Sequence, residues 1–114
     1  MIKSLTKLSF DEAREIQDTF PQIPEEYLQF LRNIGWGRVS HSLMLYSGPV
    51  TPDEIYLDNY QNTNEVIIFG DDFNGHCFGW NTENNYSVVD IDPIDFSIEE
   101  LDLSFQVFVA SRTT

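Results

Sequence analysis

The sequence predicts a single α+β domain, and three observations predict it. A chain of 114 residues is about one domain long and, at that size, buries roughly two-thirds of the surface its unfolded form exposes. Apolar residues recur at helical spacing through the first third, then give way beyond Gly37 to short apolar runs divided by Asn, Asp and Gly. Hydrophobic residues make up 41% of the chain, with nine Phe, five Tyr and two Trp, enough apolar volume to close one core without disulfide or metal staples. No internal repeat or low-complexity linker divides residues 1–114, so one domain covers them all.

The first helix starts at Ser9. Ser9-Phe10-Asp11-Glu12 has the pattern of a capping box, in which the Ser9 hydroxyl accepts from the backbone N–H near Glu12 and the Glu12 carboxylate reaches back. Phe10, Ala13, Ile16 and Phe20 then recur at spacings of three, three and four, with Glu12, Glu15 and Asp18 off that stripe. Pro21 ends the segment. Pro24 restarts helix in its first turn, where its missing N–H costs nothing and Glu25 and Glu26 complement the positive helix end. Tyr27, Leu28, Leu31 and Ile34 form the second stripe, and Gly35, followed by Gly37, stands where a left-handed cap and a sharp turn are wanted.

Beyond the glycine turn an antiparallel meander is expected. Four strands are counted, over about 43–46, 66–69 and the hairpin arms 76–80 and 86–90, with a further short segment at 39–40. Asp71-Asp72-Phe73-Asn74-Gly75 and Asn81-Thr82-Glu83-Asn84-Asn85 supply turns, since these residue types tolerate positive φ. Thr51-Pro52-Asp53-Glu54 starts a helix of one or two turns. Ser97 or Asp102 is expected to cap a final helix carrying Leu101, Phe105, Phe108 and Val109, which closes the core.

Charge separates the function classes. Nineteen acidic and six basic residues give a net charge of −13, and the imbalance is uneven. Residues 1–38 carry six acids and five bases, whereas between Val39 and Ser111 there are thirteen Asp or Glu and no Lys or Arg. Solubility explains part of this; the sharper reading is a basic partner. Direct binding to nucleic acid is disfavoured, because phosphates are repelled and no basic stripe releases counterions. The single cysteine, Cys77, cannot form an internal disulfide and suits a reducing cytoplasm. No apolar run has signal-peptide or bilayer-spanning length, so no membrane association is expected.

The motifs that could carry chemistry are weak. The glycines match no phosphate-cradling loop, lacking a following Lys and Ser or Thr. Asp71, Asp72 and Asn74 before Gly75 suggest calcium, but with Gly75 as the sixth loop position the first and twelfth are Gly70 and Asn81, neither a carboxylate. His76 and Cys77 are adjacent in a strand and so point to opposite faces, leaving no nucleophile and base pair; His41 could in principle approach either. Asp90 and Asp92 share a strand face at a spacing glycosidase chemistry could use, with nothing else marking a substrate cleft. No enzyme activity, cofactor or metal is therefore expected, and the enzymatic reading would need these side chains to converge.

The order of motifs is more informative than any one of them. Ile23-Pro24-Glu25-Glu26-Tyr27-Leu28-Gln29-Phe30-Leu31 is followed by Ile34-Gly35-Trp36-Gly37, Tyr46-Ser47-Gly48-Pro49 and Pro52-Asp53-Glu54-Ile55-Tyr56, then by Ile68-Phe69-Gly70-Asp71-Asp72-Phe73-Asn74-Gly75 and an aromatic strand. This series resembles the SUKH superfamily of Smi/Knr-like domains over about residues 21–109. The resemblance implies a central, mostly antiparallel sheet flanked by two N-terminal helices and a C-terminal helix. It also implies that bacterial members act as immunity proteins against polymorphic or contact-dependent toxins, many of them nucleases, while fungal relatives are regulatory scaffolds. It brings no catalytic residues. Trp36 departs from the pattern, standing in a glycine turn where smaller or polar residues are usual.

The expected function is thus immunity: a cytoplasmic monomer or weak homodimer that neutralises a cognate toxin through an acidic surface. The alternative is a non-enzymatic scaffold with an endogenous protein partner. The residues singled out for partner binding are Glu54, Tyr56, Asp58, Asp71, Asp72 and Asp92, on loops or strand ends beside the acidic sheet. Among the aromatics Trp36, Tyr56, Tyr60 and Trp80, Trp80 is expected to pack against the sheet and Tyr56 or Tyr60 to be exposed.

Overall fold

Sequence-local preferences account for most of the elements in the computed structural model, which describes residues 5–56 and 66–113. Helix α1 spans Phe10–Thr19 and opens with the complete capping box: Glu12 N donates to Ser9 Oγ at 3.1 Å, and Ser9 N donates to Glu12 Oε1 at 2.9 Å. Helix α2 spans Glu25–Asn33, with Pro24 one residue further out than expected, at the cap itself. Strands β1 (Gly37–Ser40) and β2 (Leu43–Val50) follow, then the single turn of α3 (Pro52–Tyr56). Strands β3 (Val66–Asp71), β4 (Cys77–Asn81), β5 (Ser87–Ile91) and β6 (Ile98–Glu100) precede helix α4 (Phe105–Ser111).

The six strands form one sheet in chain order, every neighbour antiparallel. This is the expected meander, with the short segment at 39–40 persisting as β1 and one strand, β6, added at the far edge. Helices α1, α2 and α4 cover one face, where Ala13, Tyr27, Leu28 and Leu31 meet Leu43, Leu45, Phe69, Phe78 and Trp80, and Phe105, Phe108 and Val109 close the layer. The aromatics interlock: Tyr27 lies edge-on to Trp80 at 4.7 Å, Phe69 edge-on to Phe105 at 5.2 Å and Phe78 edge-on to Phe108 at 4.8 Å, while Phe69 meets Trp80 tilted at 4.7 Å. Each such ring contributes roughly 1.5–3 kcal/mol by burial, with a further 0.5–1.5 kcal/mol from ring geometry. Two polar atoms inside this layer, Tyr27 Oη and Trp80 Nε1, find no hydrogen-bond partner among the described residues.

Three expectations change. The final helix is capped by neither Ser97 nor Asp102: residues 98–100 pair with β5, Asp102 takes φ 56°, and Ser104 Oγ accepts from Val107 N at 3.3 Å to start α4. Helical spacing back to Leu101 was genuine as a pattern, but the edge of β5 supplied better backbone partners for 98–100. Phe10, placed on the α1 stripe, is 59% exposed, with the Arg32 guanidinium 5.1 Å above its ring. Ile34 is likewise 40% exposed at the end of the second stripe. Trp36 is half-buried, its backbone paired with Thr6 in an isolated bridge, which is why Gly35 has to be glycine: a Cβ there would stand 2.7 Å from the Thr6 carbonyl oxygen.

A bulge in β3 orients the opposite face. Val66 and Ile68 face away from the helices, whereas Ile67 and Phe69 face them. The register with β4 then shifts between Ile68 and Gly70, so Gly70 pairs with Phe78 and Asp71 with Cys77. Without the extra residue, Asp71 would point into the helix-side core. With it, the carboxylate joins a second, smaller apolar layer in which Val66, Ile68, Cys77, Val89 and Ile91 are packed by Tyr46, Val50, Tyr56 and Phe96.

Candidate functional site

On this second face, α3, the β3–β4 turn and the loop after β5 surround a concavity of about 420 Å³. It is lined by Ile55, Tyr56, Phe73, Gly75 and Pro93, with the half-buried Asp71 and the buried Cys77 at its base. Sequence builds each part locally. Phe73 takes φ 68° at the turn of the hairpin, and Gly75 takes φ 102° where a Cβ would press on Pro93 at 3.2 Å, so the two loops framing the bowl touch. Phe73 is 46% exposed, Ile55 38% and Ile94, next to Pro93, 89%. Exposed apolar side chains gathered around a concavity are the usual mark of a binding surface.

The base of the bowl is a polar chain. Tyr46 Oη donates to Asp71 Oδ2 at 2.6 Å, and Phe73 N donates to Asp71 Oδ1 at 3.0 Å, so the carboxylate is fixed in orientation by one phenol and one amide. Burial, reinforced by the hydrogen bond to Asp71, pushes the Tyr46 phenol well above its usual range. Burial likewise pushes the Cys77 thiol up, against the neighbouring hydroxyls of Tyr56 and Tyr46, which work the other way. Tyr56 Oη donates to Gly75 O in a long contact of 3.4 Å, and its ring lies 4.7 Å from Phe96. Such a thiol is 2% exposed and held protonated, the opposite of an activated nucleophile.

Other acids hold the loops next to the bowl. Asp72 Oδ1 accepts from Asn74 N at 2.8 Å and His76 N at 3.1 Å; Asp92 Oδ1 accepts from Ile94 N at 2.8 Å; Asp95 Oδ1 accepts from Ser97 N at 2.9 Å. Each carboxylate pins a turn and leaves its other oxygen free of those bonds. His76 Nδ1 lies 2.8 Å from Asp90 Oδ1. That hydrogen bond raises the imidazole's pKa against partial desolvation, aided by the charges of Asp90, Asp72 and Asp92.

Of the six residues singled out in the sequence, Tyr56 and Asp71 line the bowl, and Asp72 and Asp92 hold the loops that frame it. Glu54 turns the other way, accepting from Thr51 N at 2.7 Å and Thr51 Oγ1 at 3.0 Å at the start of α3. Asp58 and Tyr60 lie outside the described residues. Sequence reasoning missed Ile55, Phe73, Pro93 and Ile94. Phe73 and Ile94 each stand between acids and turn formers, a context that forces a large apolar side chain outward.

His76 and Cys77 do project to opposite faces. Asp90, the partner of His76, pairs in register with Phe78 on the helix side, whereas Cys77 belongs to the second layer. His41 sits in the turn joining β1 and β2. Among the described residues no group of three or more His, Cys, Asp or Glu is arranged to hold a metal ion, and no helix is long and apolar enough to cross a membrane. No protein-family model, curated protein or solved structure matches the chain.

Proposed function

We propose that this chain is a protein-binding module whose partner is basic, and that it acts as an immunity protein by neutralising a toxin in this way. The observation that carries the reading is the exposed pair Ile55 and Phe73 lining a bowl that also holds Asp71, framed by turns that Asp72 and Asp92 hold, with the exposed Ile94 next in sequence to the lining residue Pro93. An apolar centre with a charged rim is how protein interfaces divide affinity from steering. The absence of Lys and Arg from Val39 to Ser111 supports a basic partner, since nothing in that part of the sequence repels one. The likeness of the motif order to SUKH domains supports toxin neutralisation over other kinds of binding. Toxin activity is blocked in this reading by occlusion and charge, with the module binding at or beside the toxin's active site.

The test is to look for a neighbouring gene that encodes a toxin-like C-terminal domain and co-express that domain with this chain, scoring host survival and co-purification together; the absence of such a gene would favour the scaffold. Survival with a complex that Ile94→Asp or Phe73→Asp disrupts is the expected result. Death without a complex would move the assignment to a scaffold with an endogenous partner. A complex indifferent to both substitutions would remove this face from the interface.

A further inference from the structure

The bowl is too specific to be a generic acidic patch, and we infer that it receives one arginine side chain of the basic partner, the guanidinium meeting Asp71 and the Gly75 carbonyl. This rests on the proposed reading of a basic protein partner and names what that partner inserts. Three observations lead to it. First, Asp71 is a carboxylate set at the base of a largely apolar concavity, with its two oxygens each holding one donor, Tyr46 Oη and Phe73 N. A carboxylate oxygen accepts more than one hydrogen bond, so both oxygens keep a position for the two-pronged approach of a guanidinium. No ion pair joins Asp71 to a basic side chain among the described residues, so an incoming cation displaces none there.

Second, the walls suit a flat cation on an apolar stem. Ile55 and Pro93 offer hydrocarbon to the three methylenes of arginine, and Tyr56 and Phe73 offer rings to its delocalised charge. An ammonium, compact and strongly hydrated, gains less from such walls. Third, the molecule already places a guanidinium on this rim. Arg38, from β1, stands with Cζ 4.9 Å from the centroid of the Phe73 ring. The Phe73 ring thus already stacks one guanidinium, and an arginine entering from the partner shares this rim with the charge of Arg38.

The probes are N-acetyl-arginine amide, the neutral isostere N-acetyl-citrulline amide and N-acetyl-lysine amide, each titrated into the full chain and followed by amide proton–nitrogen spectra. The expected result is saturable shifts centred on Phe73, Gly75 and Cys77 with the arginine probe. Citrulline should bind at least about tenfold more weakly, and lysine should fall between the two, as loss of a charge-assisted bidentate contact requires. Asp71→Asn should abolish the difference between arginine and citrulline. Ile55→Trp, which fills the mouth and leaves Asp71 untouched, should abolish binding of both and decides the matter should Asp71→Asn lose its dispersed spectrum. Equal response to arginine and citrulline, or shifts that centre elsewhere, overturns the inference. A basic protein that binds equally well to Asp71→Asn and Ile55→Trp would sink the arginine assignment alone; an arginine probe that seats while no basic protein binds would sink the partner reading alone.

Discussion

Replacing Gly70 by Ala tests the bulge that turns Asp71 to the second face. A Cβ on Gly70 would lie 2.2 Å from the carbonyl oxygen of Met44 and 3.4 Å from Leu45 Cα. Both are backbone atoms of β2 in the middle of the sheet, so neither can swing aside as a side-chain end would. Relief requires β2 and β3 to part by about an ångström against a normal strand spacing of roughly 4.8 Å, which lengthens their ladder hydrogen bonds. Overpacking of this kind costs about 1–3 kcal/mol where side chains can give. Against fixed backbone the cost should lie at about 3 kcal/mol or beyond, a large share of the ~5–15 kcal/mol that holds such domains together. The melting temperature should fall by roughly 10–15 °C. Gly48→Ala is the control: its nearest neighbour would be Ile16 Cδ1 at 3.5 Å, an ordinary contact, and its stability should stay within about 1 kcal/mol of the parent. Urea unfolding followed by tryptophan fluorescence reads both, because Trp80 is fully buried against Phe69 beside the bulge. Equal midpoints for Gly70→Ala and Gly48→Ala would refute the argument that strand approach, and not turn geometry, dictates glycine here.

Two further outcomes follow from individual atoms. The raised pKa of His76 means that its pairing with Asp90, in the field of Asp72 and Asp92, stabilises the fold fully below the unfolded value of about 6.5 and is lost as pH rises through the folded value. The stability gap between the parent and His76→Asn should therefore shrink from pH 6 to 8; a gap that widens with pH would contradict the pairing. Tyr27→Phe removes a buried hydroxyl with no partner among the described residues while keeping the ring against Trp80 and Phe105, and should leave stability unchanged or raise it by about 1 kcal/mol in thermal melts. A clear loss of stability would mean that the hydroxyl is satisfied in solution.

The helical half was legible because its signals are local. Ser9 and Glu12 specify a cap within four residues, and the spacing of Tyr27, Leu28 and Leu31 is a complete amphipathic stripe. The sheet was legible as a meander because each strand is bounded by Asn, Asp or Gly. Strand β6 escaped because Ile98-Glu99-Glu100 is short and acidic, and its partner β5 is visible only in three dimensions. The acids of the site could be read, but not which of them would aim where. The Glu54 carboxylate is spent on Thr51, and Asp71 reaches the bowl only through a bulge that depends on the approach of Met44 to Gly70. Phe73 and Ile94 read as ordinary loop residues until the two loops are seen to touch at Gly75 and Pro93.

Helix α4 has a consequence for how the chain emerges from the ribosome. Phe105 and Phe108 are each 1% exposed, wedged against Phe69 and Phe78 of strands made much earlier, and Glu26 of α2 accepts from Gln106 N across 80 positions of sequence. Six strands and three helices are therefore synthesised before the aromatic layer can be sealed. Helices α1 and α2 can already pack on this face, with Tyr27 against Trp80, but until α4 clears the exit tunnel the part of the sheet that Phe105 and Phe108 cover, at Phe69 and Phe78, stays open. Local strand pairing can run ahead during translation, but protection of that aromatic surface waits for the last helix.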